Sequence, residues 1–162
     1  MARVNPVSMM LLFTLFLPSN QIPSQSDEQA IAAVLDDWHK AASEANEERY
    51  FGHFTPDAIM MGTDATEHWT RDEFRAWAKP YFARGTAWSF TPKKRHVSFS
   101  KDRSVAWFDE LLDTPQLGLC RGSGVLLLDG GRWRIAQYNL SVPIPNGVFK
   151  EVKAVIDGAK SK

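Results

Sequence analysis

The chain has 162 residues, in which 19 Lys and Arg balance 19 Asp and Glu. With no formal net charge, nothing suggests an electrostatic footprint for nucleic acid or for an anionic membrane. One cysteine, Cys120, excludes an intramolecular disulfide, and four scattered histidines at no ligand-like spacing give no reason to expect a metal site or a cofactor.

Residues 1–26 read apart from the rest. Arg3 is the only charge before Asp27, and Met9 to Leu17 is an unbroken, largely apolar run that Pro18 and a polar stretch end. A basic start, a short apolar run and a polar exit describe a secretory signal, so export to a secreted or periplasmic location is expected. The alternative is a disordered start on a cytoplasmic protein. The run is too short for a stable membrane span.

From Ser26 the periodicity becomes helical. Ile31, Val34, Leu35, Trp38, Ala41 and Ala42 recur at three- and four-residue spacing and predict an amphipathic helix over about Asp27 to Ala45. A shorter helix follows through Glu47, Arg49, Tyr50 and Phe54, with Thr55-Pro56-Asp57 as its stop. Ala58 to Gly62 is a short strand. Gly62 to Phe74 is a loop leading into a third helix, where Thr70 and Glu73 match a capping box. That helix carries Phe74, Trp77 and Ala78 and ends near Pro80 to Gly85.

The rest of the domain reads as β. Strands are expected over Trp88–Pro92, Arg95–Ser100 and Ser104–Asp113, with Lys101-Asp102 as a turn. Leu119 enters a hairpin, in which Asp129-Gly130-Gly131 joins the apolar run Val125–Leu128 to a second β-favouring run. An Asp-Gly turn between two such runs is a strong short-range hairpin signal. In the second arm Ala136, Tyr138 and Leu140 alternate with Gln137, Asn139 and Ser141; the first set is the more apolar and is expected to face a core. Pro143 and Pro145 end the strand, and Val148 to Ile156 forms a short helix with Gly158 as its stop. Helices followed by a run of long strands make an α+β chain with the helices on one face of a sheet. One domain over 27–146 is expected, with a C-terminal helix and tail over 147–162.

The chain resembles the NTF2-like superfamily, within it the SnoaL-like branch close to the calcium/calmodulin-kinase association-like branch. The residues that carry the likeness are Tyr50–Phe54 leading to Thr55-Pro56-Asp57-Ala58, Gly62-Thr63-Asp64, Ala106-Trp107-Phe108, and Asp129-Gly130-Gly131-Arg132-Trp133 running into Tyr138-Asn139-Leu140-Ser141. The resemblance implies a cone: a curved antiparallel sheet with three N-terminal helices closing its concave face, a pocket inside, and a homodimer through the outer face. Gln137, Asn139 and Ser141 would then lie on the dimer face. On the Ser104–Asp113 strand composition barely separates the two faces, and similarity to the association domains selects Trp107 and Asp109 for the pocket.

The expected pocket gathers Trp38, Tyr50, Phe54, Trp69, Phe74, Trp77, Trp107, Gly122, Gly124 and Leu140, with Asp64, Glu67 and His68 at its mouth. Rings on helical stripes also suit a plain core. Helix-entry capping equally suits Asp64 and Glu67. Burial among Trp107, Phe108 and Leu111 would raise the pKa of Asp109 and suit it as a general base, with Tyr138 as hydrogen-bond donor. In the ketosteroid-isomerase-like branch the base lies near the end of the first strand; Gly62 occupies the matching position here, and the nearest acid, Asp64, is two residues on. The readings are therefore a module binding a small apolar molecule, an isomerase or hydratase working through Asp109 and Tyr138, and a structural homodimer with a filled cone.

Overall fold

The computed structural model describes residues 25–160. The leader expected over 1–26 lies, apart from its last two residues, outside the described residues. None of the described helices is long and apolar enough to cross a membrane.

Helix α1 (Gln25–Ser43) buries Ile31, Leu35, Trp38, Ala41 and Ala42, the stripe its periodicity predicts. Its end is a Schellman motif. Asn46 N donates to Ala41 O at 2.9 Å and Ala45 N to Ala42 O at 3.1 Å, with Ala45 left-handed at φ 53°. Asn46 at once caps helix α2 (Glu47–Gly52) by accepting from Arg49 N at 3.0 Å. Arg49 Nε also donates to Asp37 Oδ2 at 2.9 Å, which ties α2 to α1 and holds the Asp37 carboxyl down at about 2.

Strand β1 (Phe54–Met61) starts where a helix stop was expected: Thr55, Pro56 and Asp57 belong to it, and its register against β6 shifts between Phe54 and Ile59. β2 (His68–Thr70) runs into helix α3 (Arg71–Phe82), whose capping box forms as expected, Thr70 N donating to Glu73 Oε2 at 2.9 Å. The two strands expected between Trp88 and Ser100 are one, β3 (Thr91–Phe99), with a register shift between Pro92 and Lys94. Pro92 is tolerated because β3 is an edge strand. β4 (Val105–Thr114), β5 (Gly118–Asp129) and β6 (Arg132–Ser141) complete the sheet.

Gly130 and Gly131 connect β5 and β6 with φ 55° and 79°, the positive φ at both central residues that a two-residue type I′ hairpin turn requires and glycine adopts freely. A 3-10 turn (Asn146–Val148) precedes helix α4 (Phe149–Lys160). Gly158 lies inside α4 and does not stop it.

The sheet is curved and open, in the order β2-β1-β6-β5-β4-β3. Neighbours run antiparallel except the parallel pair β1–β6. α1 packs across β3 and β6 and α3 across β1 and β2, so the helices close the concave face. Between them lies an aromatic core in which the Trp38 ring sits 5.2 Å from Tyr50 and 4.7 Å from Tyr138. Such ring pairs add about 0.5–1.5 kcal/mol each beyond their burial.

Candidate functional site

The cone holds a cavity of about 210 Å³. Trp38 of α1, Tyr50 of α2, Met60 and Met61 of β1, Trp69 of β2, Phe74 and Trp77 of α3, and Tyr138 and Leu140 of β6 line it. Gly62, Thr63 and Glu67 from the loop after β1, and Trp88 and Phe90 before β3, complete the wall. Seven expected pocket or donor residues therefore meet here: Trp38, Tyr50, Trp69, Phe74, Trp77, Tyr138 and Leu140. Glu67 joins them at the mouth.

Phe54 does not reach the cavity. It is 1% exposed and packs behind Trp38 and Tyr50. Asp64 turns its carboxylate onto Thr66, accepting from its N at 2.8 Å and its Oγ1 at 2.6 Å, and these bonds lower its pKa. His68 is exposed on β2, outside the cavity wall.

The β4 assignment is reversed. Ala106, Phe108, Glu110 and Leu112 face the core, whereas the Trp107 side of the strand faces outward, with Trp107 49% exposed. Asp109 lies beside His96 across the sheet's outer surface, Oδ1 3.2 Å from His96 Nδ1. It cannot take a proton from anything in the cavity. The inward acid is Glu110, which its neighbours keep ionised. Burial alone would raise its pKa, but His39 at 2.7 Å and Arg95 at 2.7 Å lower it below the ordinary value. A fully buried carboxylate is tolerable only with such partners.

The two inward glycines serve the core rather than a ligand. Gly124 pairs with Phe108 on one side and Tyr138 on the other, and those rings stack 6.2 Å apart. A Cβ on Gly122 would lie 2.4 Å from the Tyr138 hydroxyl oxygen. That hydroxyl is buried and has no hydrogen-bond partner among the described residues. Burial raises the phenol's pKa well above its ordinary value, and the nearby Glu110 charge adds to the effect, so the Tyr138 hydroxyl stays neutral and keeps its proton to donate. Ala136 is the extra residue where the β5–β6 register shifts; Ile135 takes the buried place, fully covered.

Gln137, Asn139 and Ser141 lie on the outer face, in register with Val125, Ser123 and Arg121. The sequence reading missed Met60, Met61, Gly62, Thr63, Trp88 and Phe90 in the wall and the pair His39–Glu110 beneath it. Alternation along β1 from buried Ala58 to buried Met60 carried part of that signal.

An open sheet closed by helices around an apolar cavity defines the NTF2-like class of α+β domain. The model of the SnoaL-like domain family matches residues 31–145, and the chain belongs to that family. An NTF2-like protein of unknown function from Pseudomonas putida shares 16% identity over 76% of this chain and 91% of its own, with TM-score 0.64. A proposed dehydratase of the NTF2-like family from Streptomyces avermitilis shares 14% over 74% and 98%, also with TM-score 0.64. A proposed calcium/calmodulin-dependent protein kinase II association domain from Xanthomonas campestris shares 17% over 82% and 99%, with TM-score 0.56. At these identities the likeness is one of fold. No curated protein matches the sequence.

Proposed function

We propose that this exported domain binds a small, largely apolar molecule inside the cone. The observation that supports the reading is the cavity of about 210 Å³, walled by aromatic and Met side chains. An apolar cavity of about 150 Å³ takes up benzene, so this one suits a ligand of about ten non-hydrogen atoms. Tyr138 lines the cavity, and its hydroxyl, covered beside Gly122 and without a partner among the described residues, would be a donor to a ligand that reached it past the ring. Calorimetric titration with p-cymene tests the reading: saturable binding is expected, and Leu140→Trp, which fills the cavity, should abolish it. No heat in the wild type would remove the proposal.

A second reading concerns assembly. Trp107, about half exposed, stands in a cross-strand row with Val125 and Gln137 on the outer face. An exposed indole flanked by strand residues suits a contact between two copies of the chain, which favours a homodimer through the face carrying Gln137, Asn139 and Ser141. Sedimentation should give a dimer mass for the wild type and a monomer mass for Trp107→Glu. A wild-type monomer at all concentrations would exclude it.

A further inference from the structure

Glu67 is the only charged side chain among the described residues that line the cavity. Its position depends on Gly62. A Cβ built on Gly62 would lie 2.1 Å from Glu67 Oε2, so the carboxylate occupies the space that any larger residue there would take. The loop is closed to hold it: Gly62 N donates to Glu67 O at 3.1 Å and Glu67 N to Asp64 O at 3.0 Å. Oε2 accepts from Asp64 N at 3.0 Å. Among the described residues this is the carboxylate's one hydrogen bond, Oε1 has no donor and Glu67 joins no ion pair.

Beside this carboxylate stand the ring faces of the rim. Trp69 and Trp77 stack at 5.1 Å, and Trp77 and Phe74 at 5.7 Å. Trp77 is 41% exposed, so its ring is reachable from outside. Aromatic faces attract a cation through their quadrupole, most strongly where water is partly excluded. An unpaired carboxylate adds to that attraction and opposes an anion.

We propose that the cavity selects a small organic cation, its ammonium group at Glu67 and the rim indoles and its hydrocarbon body inside the cone. This rests on the cavity-binding reading above and narrows it to a ligand class. The two fail differently in one experiment, a tryptophan-fluorescence titration with benzyltrimethylammonium and its neutral isostere neopentylbenzene. The cation should bind about tenfold more tightly than the isostere. Glu67→Gln keeps the acceptor for Asp64 N and should remove that preference, leaving the neutral compound within about twofold of wild type. Gly62→Ala should do the same by displacing the carboxylate.

Equal affinity for the two compounds in the wild type, or binding of the isostere alone, overturns the cation proposal and leaves the cavity reading standing. Binding of neither overturns both. If Glu67→Gln does not fold, ionic strength decides the matter in the wild type. Raising salt from about 0.01 M to about 1 M should weaken the cation and spare the isostere; equal salt response of both compounds counts against the charge.

Discussion

His39 Nε2 lies 2.7 Å from Glu110 Oε1 inside the cone, joining α1 to β4 across 71 residues of chain. Glu110 Oε2 accepts from Arg95 Nε at 2.9 Å and Nη2 at 2.7 Å, and Arg95 Nη2 also reaches Asp36 Oδ1 at 2.9 Å. Three elements are thus held by one carboxylate. Removing its charge strands a mostly buried guanidinium, although Asp36 still offsets part of the loss. Glu110→Gln should therefore destabilise the fold by about 3 kcal/mol, at the low end for breaking a buried pair, as measured by urea unfolding.

The same carboxylate sets a pH dependence. Its pKa is lower in the folded chain than its ordinary value of 4.5. The stability it contributes is complete above that ordinary value and is lost as pH falls through the folded one. Melting temperature followed from about pH 6 to about pH 3 should fall more steeply for the wild type than for Glu110→Gln. Parallel curves would count against an ionised Glu110.

Ala45 holds the left-handed position of the Schellman motif, φ 53°, where glycine is usual. A Cβ there costs about 1–2 kcal/mol, while glycine's extra freedom in the unfolded chain takes back about 0.4–1 kcal/mol. Ala45→Gly should stabilise the domain by about 0.5–1 kcal/mol. A lowered urea midpoint would show that Ala45 contributes packing that outweighs its backbone strain.

Gly122 and Gly124 differ in what a methyl group would strike. At Gly122 the obstacle is the end of a side chain, the Tyr138 hydroxyl at 2.4 Å; at Gly124 it is backbone, the Gln137 carbonyl oxygen at 2.3 Å, with Phe108 at 2.9 Å. A side chain can move aside more readily than a paired strand. Gly122→Ala should lose about 1–3 kcal/mol and Gly124→Ala more, enough to lower soluble yield. Equal losses would mean that the Tyr138 ring is as fixed as the strand.

The fold was legible because its signals are local. The α1 stripe, the Thr70–Glu73 capping box and the Gly130-Gly131 turn each specify one conformation, and their order gives the cone. The face of β4 was not legible, because Trp107 and Asp109 alternate with Phe108 and Glu110 and either set could pack. What decides it is remote: Arg95 in register on β3 and His39 on α1 make a buried Glu110 tolerable. Asp109 pairs instead with exposed His96 on the outer face. The shift at Ala136 was equally hidden, since unbroken alternation would have placed Ala136 where Ile135 is buried. Glu67 was found at the mouth, but its dependence on Gly62 needs the loop's closure, which spacing does not give.

Tyr138 separates stability from binding most cleanly. Its hydroxyl is buried and has no partner among the described residues, so the folded protein gains no hydrogen bond from it there and bears its desolvation. Tyr138→Phe should leave stability unchanged or raise it by up to about 1 kcal/mol. A cavity ligand whose acceptor oxygen reaches past the ring to this covered hydroxyl should notice the loss. 4-Methylacetophenone and p-cymene have nearly the same shape, and only the first offers a carbonyl. The wild type should prefer the ketone by about tenfold, the worth of one buried hydrogen bond, and Tyr138→Phe should bind the two alike in calorimetric titration. A preference that survives the substitution would place the ligand's oxygen elsewhere in the cavity. A Tyr138→Phe protein that is clearly less stable would mean that the hydroxyl has a partner in solution, such as a bridging water, and the donor would then be unavailable to a ligand unless that water left.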